Sequence, residues 1–348
     1  MKKKYLLLLL SSLILLFGLG LSSQEVKAAT AQAINYSVSP EPANNQINKK
    51  VGYYDLKMAP NQKETIKFKI NNNDAVTHNY KISINRATTN SNGVIDYTDH
   101  DKSSAGTDLQ DNIEDLVTYP KQVTVADKSS KEVEVQVKMP AGQVTGELLG
   151  GILVSENNQV SDKRVAKGVT LKNKYEYVLG LQIQQNTDSV KPELKLNKAY
   201  ETSDSNGQVM VDAQIDNYEP DLDKTVAVSA KVTPQNSNKV VLKSNKNRMS
   251  IAPNSDFNYP VDVNSLTGTN KNKRLKPGNY TMYVNVKANS GKNMWNLQRN
   301  FTVKKNQIAK INKKVPNRRP NTWIIVGIIA ILAIIGGSVS WFYRKNRK

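Results

Sequence analysis

Residues 65–70 read TIKFKI, a strict alternation of polar and apolar side chains. The same alternation occurs in residues 79–84 (NYKISI) and 132–137 (EVEVQV). Successive side chains of a β-strand point to opposite faces, so each segment is predicted to be a strand with one buried and one solvated face. No stretch between residues 30 and 303 keeps the 3.6-residue period of an amphipathic helix over a dozen residues. This part of the chain is therefore predicted to be all-β.

Residues 147–154 (ELLGGILV) form a more continuous apolar run. Such a run predicts a central strand that is buried on both faces. The glycine pair inside it, Gly150 and Gly151, predicts a bulge or a close approach of neighbouring atoms. Residues 175–183 are predicted to be the strand that completes this first unit.

Seven further candidate strands follow in the second unit. They are residues 193–200, 208–215, 225–232, 239–243, 249–263, 278–286 and 295–303. Many short strands separated by turn residues are typical of a β-sandwich, although the Cys-Trp-Cys core of antibody domains is absent. We therefore predict two Ig-like β-sandwich domains in tandem, residues 30–187 and 188–303.

The N-terminus predicts secretion. Three lysines at positions 2–4 precede an apolar run, and Val26 and Ala28 suit a small-residue cleavage site. Residues 1–28 are predicted to be a cleaved signal peptide, with an uncleaved N-terminal anchor as the alternative.

The C-terminus predicts a membrane anchor. Residues 323–343 contain no charged side chain, and as a helix these 21 residues would be about 31 Å long, enough to cross the hydrocarbon core. The basic tail 344–348 is expected in the cytoplasm. We predict a single-pass protein of the cell membrane, N-terminus outside and exposed in the cell wall. A buried core helix fits this uniform apolarity less well, and a sortase signal would need an LPxTG-like motif that residues 315–321 lack.

The positive charge is uneven along the chain. The formal net charge is +19, yet residues 29–185 contain 18 basic and 18 acidic side chains. Residues 186–303 contain 16 basic and 11 acidic side chains, and the stalk 304–322 contains seven basic and no acidic ones. This distribution argues against nucleic-acid binding. The stalk either lies against an anionic lipid or wall polymer, or is a linker that its charge keeps extended.

Composition excludes several kinds of site. The chain has no cysteine, so disulfides, thiolate nucleophiles and Cys-ligated zinc are excluded, and two histidines are too few for a His-rich metal centre. Residues 96–115 form an acidic loop that a calcium ion could use, but the spacing does not match an EF-hand and a solvated loop is favoured. No cofactor or metal site is predicted. The polar segment 155–173 is long for a hairpin loop and is a candidate functional excursion.

Several motifs occur in order along the chain, at residues 40–46, 52–58, 60–62, 90–97, 146–152, 174–181, 249–257 and 275–280. Together these motifs resemble the WxL-interacting protein family of Gram-positive bacteria. The resemblance implies a first domain that binds peptidoglycan and a second that binds host-surface proteins, including those of the extracellular matrix. It also implies a partnership with secreted WxL proteins held at the cell wall.

Five residues near the start of the first domain are the predicted binding residues for peptidoglycan. They are Asn44, Asn45, Gln46, Tyr53 and Tyr54, chosen because amide and aromatic groups suit a glycan. Strand alternation requires one of the two tyrosines to face the core.

Three function classes are weighed. A membrane-anchored binding and scaffolding protein is favoured over a structural spacer or a generic adhesin without wall binding. A cell-wall carbohydrate hydrolase is the least favoured, because no catalytic motif is present and no catalytic residue is implied by the family. We predict that the protein is not an enzyme.

Overall fold

The computed structural model describes residues 34–98, 109–157, 175–203, 209–262 and 275–305. The predicted signal peptide, transmembrane helix and cytoplasmic tail lie outside these residues, as do residues 306–322 of the stalk. Within the described ranges no helix is both long and apolar enough to cross a membrane. The described elements are β-strands and two three-residue 3-10 helices, Ile113–Asp115 and Asn289–Gly291, so the all-β prediction is confirmed.

Eleven strands are described before residue 187. They are β1 (Tyr36–Pro40), β2 (Tyr54–Lys57), β3 (Lys63–Asn72), β4 (His78–Arg86), β5 (Thr88–Thr89), β6 (Ile95–Asp96), β7 (Val117–Thr118), β8 (Gln122–Val125), β9 (Ser130–Lys138), β10 (Leu148–Glu156) and β11 (Glu176–Gln184). They form a four-stranded sheet in the order β1-β3-β9-β7, a five-stranded sheet in the order β2-β11-β10-β4-β8, and the small β5-β6 sheet.

The two larger sheets enclose one hydrophobic core, as in a β-sandwich. Phe68 and Val135 enter it from the four-stranded sheet, and Ile82, Ile152 and Leu181 enter it from the five-stranded sheet. Phe68, Ile82 and Val135 are apolar members of the alternating segments, so the predicted burial of one face of those strands is confirmed. We call this body the first sandwich.

Strand β10 lies in the middle of the five-stranded sheet, between β11 and β4. Its pairing with both neighbours is continuous, so the glycine pair does not mark a bulge. It marks a close approach instead, because a Cβ atom on Gly151 would lie 2.6 Å from Cγ of Tyr97. Strand β11 completes the sheet by pairing antiparallel with β10 and parallel with β2.

Seven strands are described after residue 187. They are β12 (Leu194–Ser203), β13 (Val209–Asn217), β14 (Asp223–Pro234), β15 (Leu242–Ile251), β16 (Ser255–Asp262), β17 (Gly278–Ala288) and β18 (Asn293–Val303). A three-stranded sheet, β12-β13-β16, and a four-stranded sheet, β15-β14-β17-β18, enclose a second hydrophobic core. We call this body the second sandwich.

One part of the second sandwich differs from the prediction. Residues 239–243 and 249–263 were expected to be two separate strands, but β15 runs from Leu242 to Ile251 and β16 begins at Ser255. The expected strand 249–263 is broken at Pro253 and Asn254. Proline has no backbone N–H for the ladder, and Asn254 has φ 46°, a turn conformation.

Hydrogen bonds donated by backbone amides join the two sandwiches. The amide of Ser250 donates to the carbonyl of Gly93 at 2.9 Å, and the amide of Glu147 donates to the carbonyl of Pro220 at 2.8 Å. The amide of Ala252 donates to Oγ1 of Thr89 at 2.8 Å. Segments quoted for the family resemblance, residues 90–97 and 249–257, therefore meet at this junction.

Candidate functional site

The segment before β2 is held in place by Gln46. Its side-chain amide donates to the carbonyl of Tyr53 at 2.8 Å and to that of Asn48 at 3.1 Å, while its Oε1 accepts from the amide of Asp55 at 3.3 Å. Only 9% of the residue is exposed. The polar atoms of the Gln46 side chain therefore hold the loop that carries Tyr53, and a binding role for Gln46 stays a prediction.

The two asparagines before it differ in their contacts. Asn44 is exposed, whereas Asn45 is partly buried and its Nδ2 donates to the carbonyl of Lys57 at 3.1 Å. Both lie on the chain segment that pairs with β2, through the isolated bridge between Gln46 and Leu56.

The two tyrosines of the predicted set point in opposite directions. Tyr54 is 1% exposed and its hydroxyl donates to the carbonyl of Lys67 at 2.6 Å. It belongs to the core, so Tyr54 is the inward-facing member that strand alternation requires of the pair. Tyr53 is 38% exposed and lies on the outer face of the five-stranded sheet.

A glycine pair supports the outer tyrosine. Gly180 of β11 pairs with Gly151 of β10. A Cβ atom on Gly180 would lie 3.3 Å from Cβ of Tyr53, and Gly151 is covered by Tyr97. Because neither glycine has a side chain, both tyrosines rest directly on the sheet. Nδ2 of Asn85 donates to the carbonyl of Tyr97 at 2.8 Å and fixes its backbone.

Two carboxylates lie beside this pair of tyrosines. Asp55 is 8% exposed and its Oδ1 is buried, and Oε2 of the half-buried Glu147 is buried as well; neither oxygen has a hydrogen-bond partner. Burial raises the pKa of Asp55, against the lowering effect of a backbone hydrogen bond at Asn48 and of Lys224. Burial likewise raises the pKa of Glu147, which Lys224 partly offsets.

We call Tyr53, Tyr97, Asp55 and Glu147 the tyrosine–carboxylate site. The pKa of Tyr53 is raised by burial, then by Asp55 and Glu147, and the pKa of Tyr97 by burial and then by Tyr53, so the four groups lie within electrostatic reach. The exposed Tyr53 ring, with its polar hydroxyl, can bind a ligand that has an apolar face and hydrogen-bonding groups at its edge. Among the described residues no group of three or more acidic or histidine side chains could hold a metal ion.

The residues that sequence reasoning missed are Tyr97, Asp55, Glu147 and the glycine partner Gly180. A signal for them was present, because they lie in segments 52–58, 90–97, 146–152 and 174–181, which were quoted for the family resemblance. Those segments are far apart in the chain and converge on one face only in the folded sheet.

Family models match most of the chain. Residues 36–156 match the one described as "WxL Interacting Protein, peptidoglycan binding domain". Residues 166–313 match the one described as "WxL Interacting Protein, host binding domain". The first match contains Tyr53, Tyr97, Asp55 and Glu147. The second begins before β11, which packs in the first sandwich.

Comparison with curated proteins finds none that is significantly similar. Comparison with solved structures matches the E. coli chaperone DraB, at 12% identity over 73% of this chain and 96% of that chain, TM-score 0.27. Another is the CupB2 chaperone of Pseudomonas aeruginosa, at 12% identity over 70% of this chain and 93% of that chain, TM-score 0.24. A third is the SafA pilin–SafB chaperone complex of Salmonella enterica, at 8% identity over 78% of this chain and 98% of that chain, TM-score 0.28.

Proposed function

The chain belongs to the WxL-interacting protein family, and on that premise we propose that it is a membrane-anchored protein that binds peptidoglycan and scaffolds WxL proteins or host-surface proteins. The matched domains are those of a cell-surface binding protein, and both are binding domains rather than enzymes. The finer assignments, to residues, partners and membrane topology, are argued below.

The domain division we propose is 30–187 and 188–303, each an Ig-like sandwich. Its support is the separation of the buried residues into two hydrophobic clusters, one from residues 36–183 and one from residues 194–303. Strand β11 is assigned to the first domain, because Leu179, Leu181 and Ile183 lie in the first cluster.

Peptidoglycan binding is assigned to the tyrosine–carboxylate site. The observation that carries this proposal is the exposed ring of Tyr53, resting on Gly180 beside the unpaired oxygens of Asp55 and Glu147. A tyrosine ring packs against the apolar face of a sugar, and its hydroxyl can form a hydrogen bond at the edge. The unpaired oxygens of Asp55 and Glu147 are buried, so these carboxylates are proposed to set the electrostatics beside the ring, while the Tyr53 hydroxyl makes the direct hydrogen bond to the glycan.

The charge of the first domain agrees with this mode of binding. Residues 29–185 carry equal numbers of basic and acidic side chains, so bulk electrostatic attraction to the wall is weak. Binding then depends on shape, aromatic contact and hydrogen bonds. Asn44 is exposed and is proposed as a further contact, with Asn45 and Gln46 positioning the segment.

Sedimentation of the full-length protein with purified peptidoglycan tests this assignment. Tyr53→Ala is expected to weaken binding about tenfold, the loss of about 1.4 kcal/mol that a ring contact supplies, while Tyr53→Phe keeps most of it. The matched control is Tyr218→Ala, which removes a partly exposed tyrosine of the second sandwich that belongs to neither proposed binding surface. Full binding by Tyr53→Ala would contradict the assignment.

Membrane anchoring is proposed for residues 323–343, with residues 1–28 removed on secretion. The support is the uncharged 21-residue stretch followed by the basic tail. Protease added to wall-stripped intact cells should remove residues 29–322 and leave a small membrane fragment. Protection of the whole chain would refute this topology.

Capture of a protein partner is proposed for the second domain. The support is the family's host-binding domain, the net +5 of residues 186–303, and sheet edges at which an extended segment can add a strand. WxL proteins and extracellular matrix proteins are the candidate partners. Saturable binding of either by the full-length chain, weaker at moderate than at low salt, is expected. No saturable signal at either salt concentration would favour the spacer alternative.

A further inference from the structure

The outer face of the sheet β15-β14-β17-β18 is a flat polar surface with an unusual charge distribution. These four strands contain seven basic residues and one acidic residue, Asp223. Asp223 is fully buried, so no carboxylate of these strands faces outward. We call this surface the amide face, because asparagine and glutamine side chains recur along it.

The strand register sets the composition of the amide face. Tyr283 of β17 pairs with Lys231 of β14 on one side and with Gln298 of β18 on the other. Two residues along, Asn285 pairs with Ser229 and with Asn296. Alternate residues such as Val284 are buried in the second core. The polar side chains therefore form rows across the sheet, spaced about 5 Å between strands.

Cross-strand hydrogen bonds order these side chains in advance. Nδ2 of Asn285 donates to Oδ1 of Asn296 at 2.6 Å, and Oγ1 of Thr281 donates to Oδ1 of Asn300 at 2.8 Å. Oγ of Ser229 donates to Oδ1 of Asn245 at 2.7 Å. An amide has two N–H donors and one carbonyl acceptor, so each pair retains donors that can serve a ligand. A surface ordered in this way loses less side-chain entropy on binding.

A single aromatic ring lies at the centre of the face. Tyr283 is partly exposed, and Nζ of Lys231 lies 5.2 Å from its ring centroid, within cation–π distance. A shallow groove along the sheet is lined by Tyr283, Lys231, Asn285, Asn296 and Gln298. Met294, 57% exposed, is the only exposed large apolar side chain of β18, and it lies near the start of the strand.

We propose that the amide face binds an acidic polysaccharide built of pyranose rings, with Tyr283 beneath one ring, the amides on its hydroxyls, and Lys231 and Lys287 near its carboxylates. Amide and hydroxyl rows match a ligand with many hydroxyl groups, and the absence of outward carboxylates on these strands matches a ligand with negative charge. A protein interface instead centres on a buried cluster of aromatic or aliphatic anchors, which this face lacks. A polyol phosphate chain would supply charge but no ring face for Tyr283. This site is separate from the tyrosine–carboxylate site and does not depend on peptidoglycan binding.

Biolayer interferometry with the full-length protein and hyaluronan oligosaccharides tests the proposal, because hyaluronan carries uronic acid rings and no sulfate. Saturable binding is expected at 50 mM salt and is expected to weaken several-fold at 300 mM, as screening requires. Tyr283→Ala should reduce affinity at least tenfold and Tyr283→Phe should retain it. The double variant Lys231→Gln, Lys287→Gln should remove most of the salt dependence. Tyr218→Ala, which removes a partly exposed tyrosine outside both proposed sites, should leave hyaluronan binding unchanged.

Comparison ligands test whether binding requires both the sugar rings and the negative charge of hyaluronan. Neutral dextran and a glycerol-phosphate polymer should bind far more weakly than hyaluronan. Three results would each overturn the proposal. The first is no saturable hyaluronan binding at 50 mM salt, and the second is equal affinity for dextran or the polyol phosphate. The third is unchanged hyaluronan affinity in a folded Tyr283→Ala variant. A matrix protein whose binding is lost in Tyr283→Ala, with hyaluronan unbound, would assign the face to a protein partner instead. Melting temperatures of the variants show whether each is folded.

Discussion

Tyr97 covers Gly151 so closely that a Cβ atom on the glycine would lie 2.6 Å from Cγ of the tyrosine ring. The glycine belongs to the central strand β10, and its partner across the sheet, Gly180, lies beneath Tyr53. Tyr53 and Tyr97 thus pack side by side on a glycine pair of the sheet, where no side chain separates them from the backbone. The patch links a local sequence feature, a glycine in a buried strand, to the proposed peptidoglycan site.

Gly151→Ala is expected to displace Tyr97 and weaken peptidoglycan binding. The new methyl group cannot fit without movement of the ring, and overpacking of this kind costs about 1–3 kcal/mol of unfolding free energy. Urea denaturation and peptidoglycan sedimentation measure the two effects. The matched control is Gly142→Ala, since a Cβ atom there meets no other atom within 4 Å. If Gly151→Ala is as stable as Gly142→Ala and binds normally, the close approach does not matter for the site.

Truncation at residue 156 is expected to prevent folding of the first sandwich, although the peptidoglycan-binding family match ends there. Strand β11 fills the place between β10 and β2, and its inward side chains Leu181 and Ile183 are fully buried. Without them the core would be open and β10 would become an edge. Near-ultraviolet circular dichroism of residues 30–156 and 30–187 compares the two lengths. A cooperative unfolding transition in the shorter chain would contradict the assignment of β11.

Thr89→Val is expected to weaken the junction between the sandwiches. Oγ1 of Thr89 accepts from the amide of Ala252 at 2.8 Å and lies 3.3 Å from Oγ of Ser255. Valine has a similar shape but leaves the buried Ala252 amide unpaired, at a cost of about 1–3 kcal/mol. Calorimetry should show a lower unfolding temperature, with the two sandwiches separating into distinct transitions. Thr302→Val, at an exposed position of β18, is the control and should change little.

Asp223→Asn is expected to stabilise the protein at pH 8 and to have little effect near pH 4. Burial, and after it the neighbouring Asp221, raises the pKa of Asp223 to about 7, against the lowering effect of a hydrogen bond from Asn289. Between the ordinary value near 4 and this value, the folded state holds a proton that the unfolded state releases, so stability falls as pH rises through that range.

Asparagine removes the cost of a buried charge and keeps an oxygen for Nδ2 of Asn289, which lies 3.2 Å from Oδ1 of Asp223. The gain at pH 8 should be on the order of 2 kcal/mol, measured by urea denaturation across the pH series. Asp127→Asn, an exposed change, should alter stability by less than about 0.5 kcal/mol at any pH. If the two variants change the unfolding free energy equally at every pH, then the charged form of Asp223 does not destabilise the folded state.

Much of the strand pattern was predictable, because it depends on neighbouring residues alone. Alternation in residues 65–70 and 132–137 indicated β3 and β9 and their inward faces, and the apolar run of residues 147–154 indicated the central strand β10. The turn at Pro253 and Asn254 was missed, since the apolar residues on both sides continue the alternation across it. The binding residues were predicted less well: Tyr53 lies on the surface, but Tyr54 and Gln46 are buried.

By itself the sequence determined the class of structure, since the two-residue period of a strand is a local property of the chain and needs no knowledge of its partners. It also placed the charge, which is nearly balanced in the first domain and positive in the second. Only the tertiary structure decided which strands are neighbours. That pairing brings Tyr53 and Tyr97 over Gly180 and Gly151, and it places Tyr283 among the amides of β17 and β18. Such contacts join residues that are far apart in the chain. They form because burial of one face of each strand in a hydrophobic core fixes its neighbours and its register in the sheet.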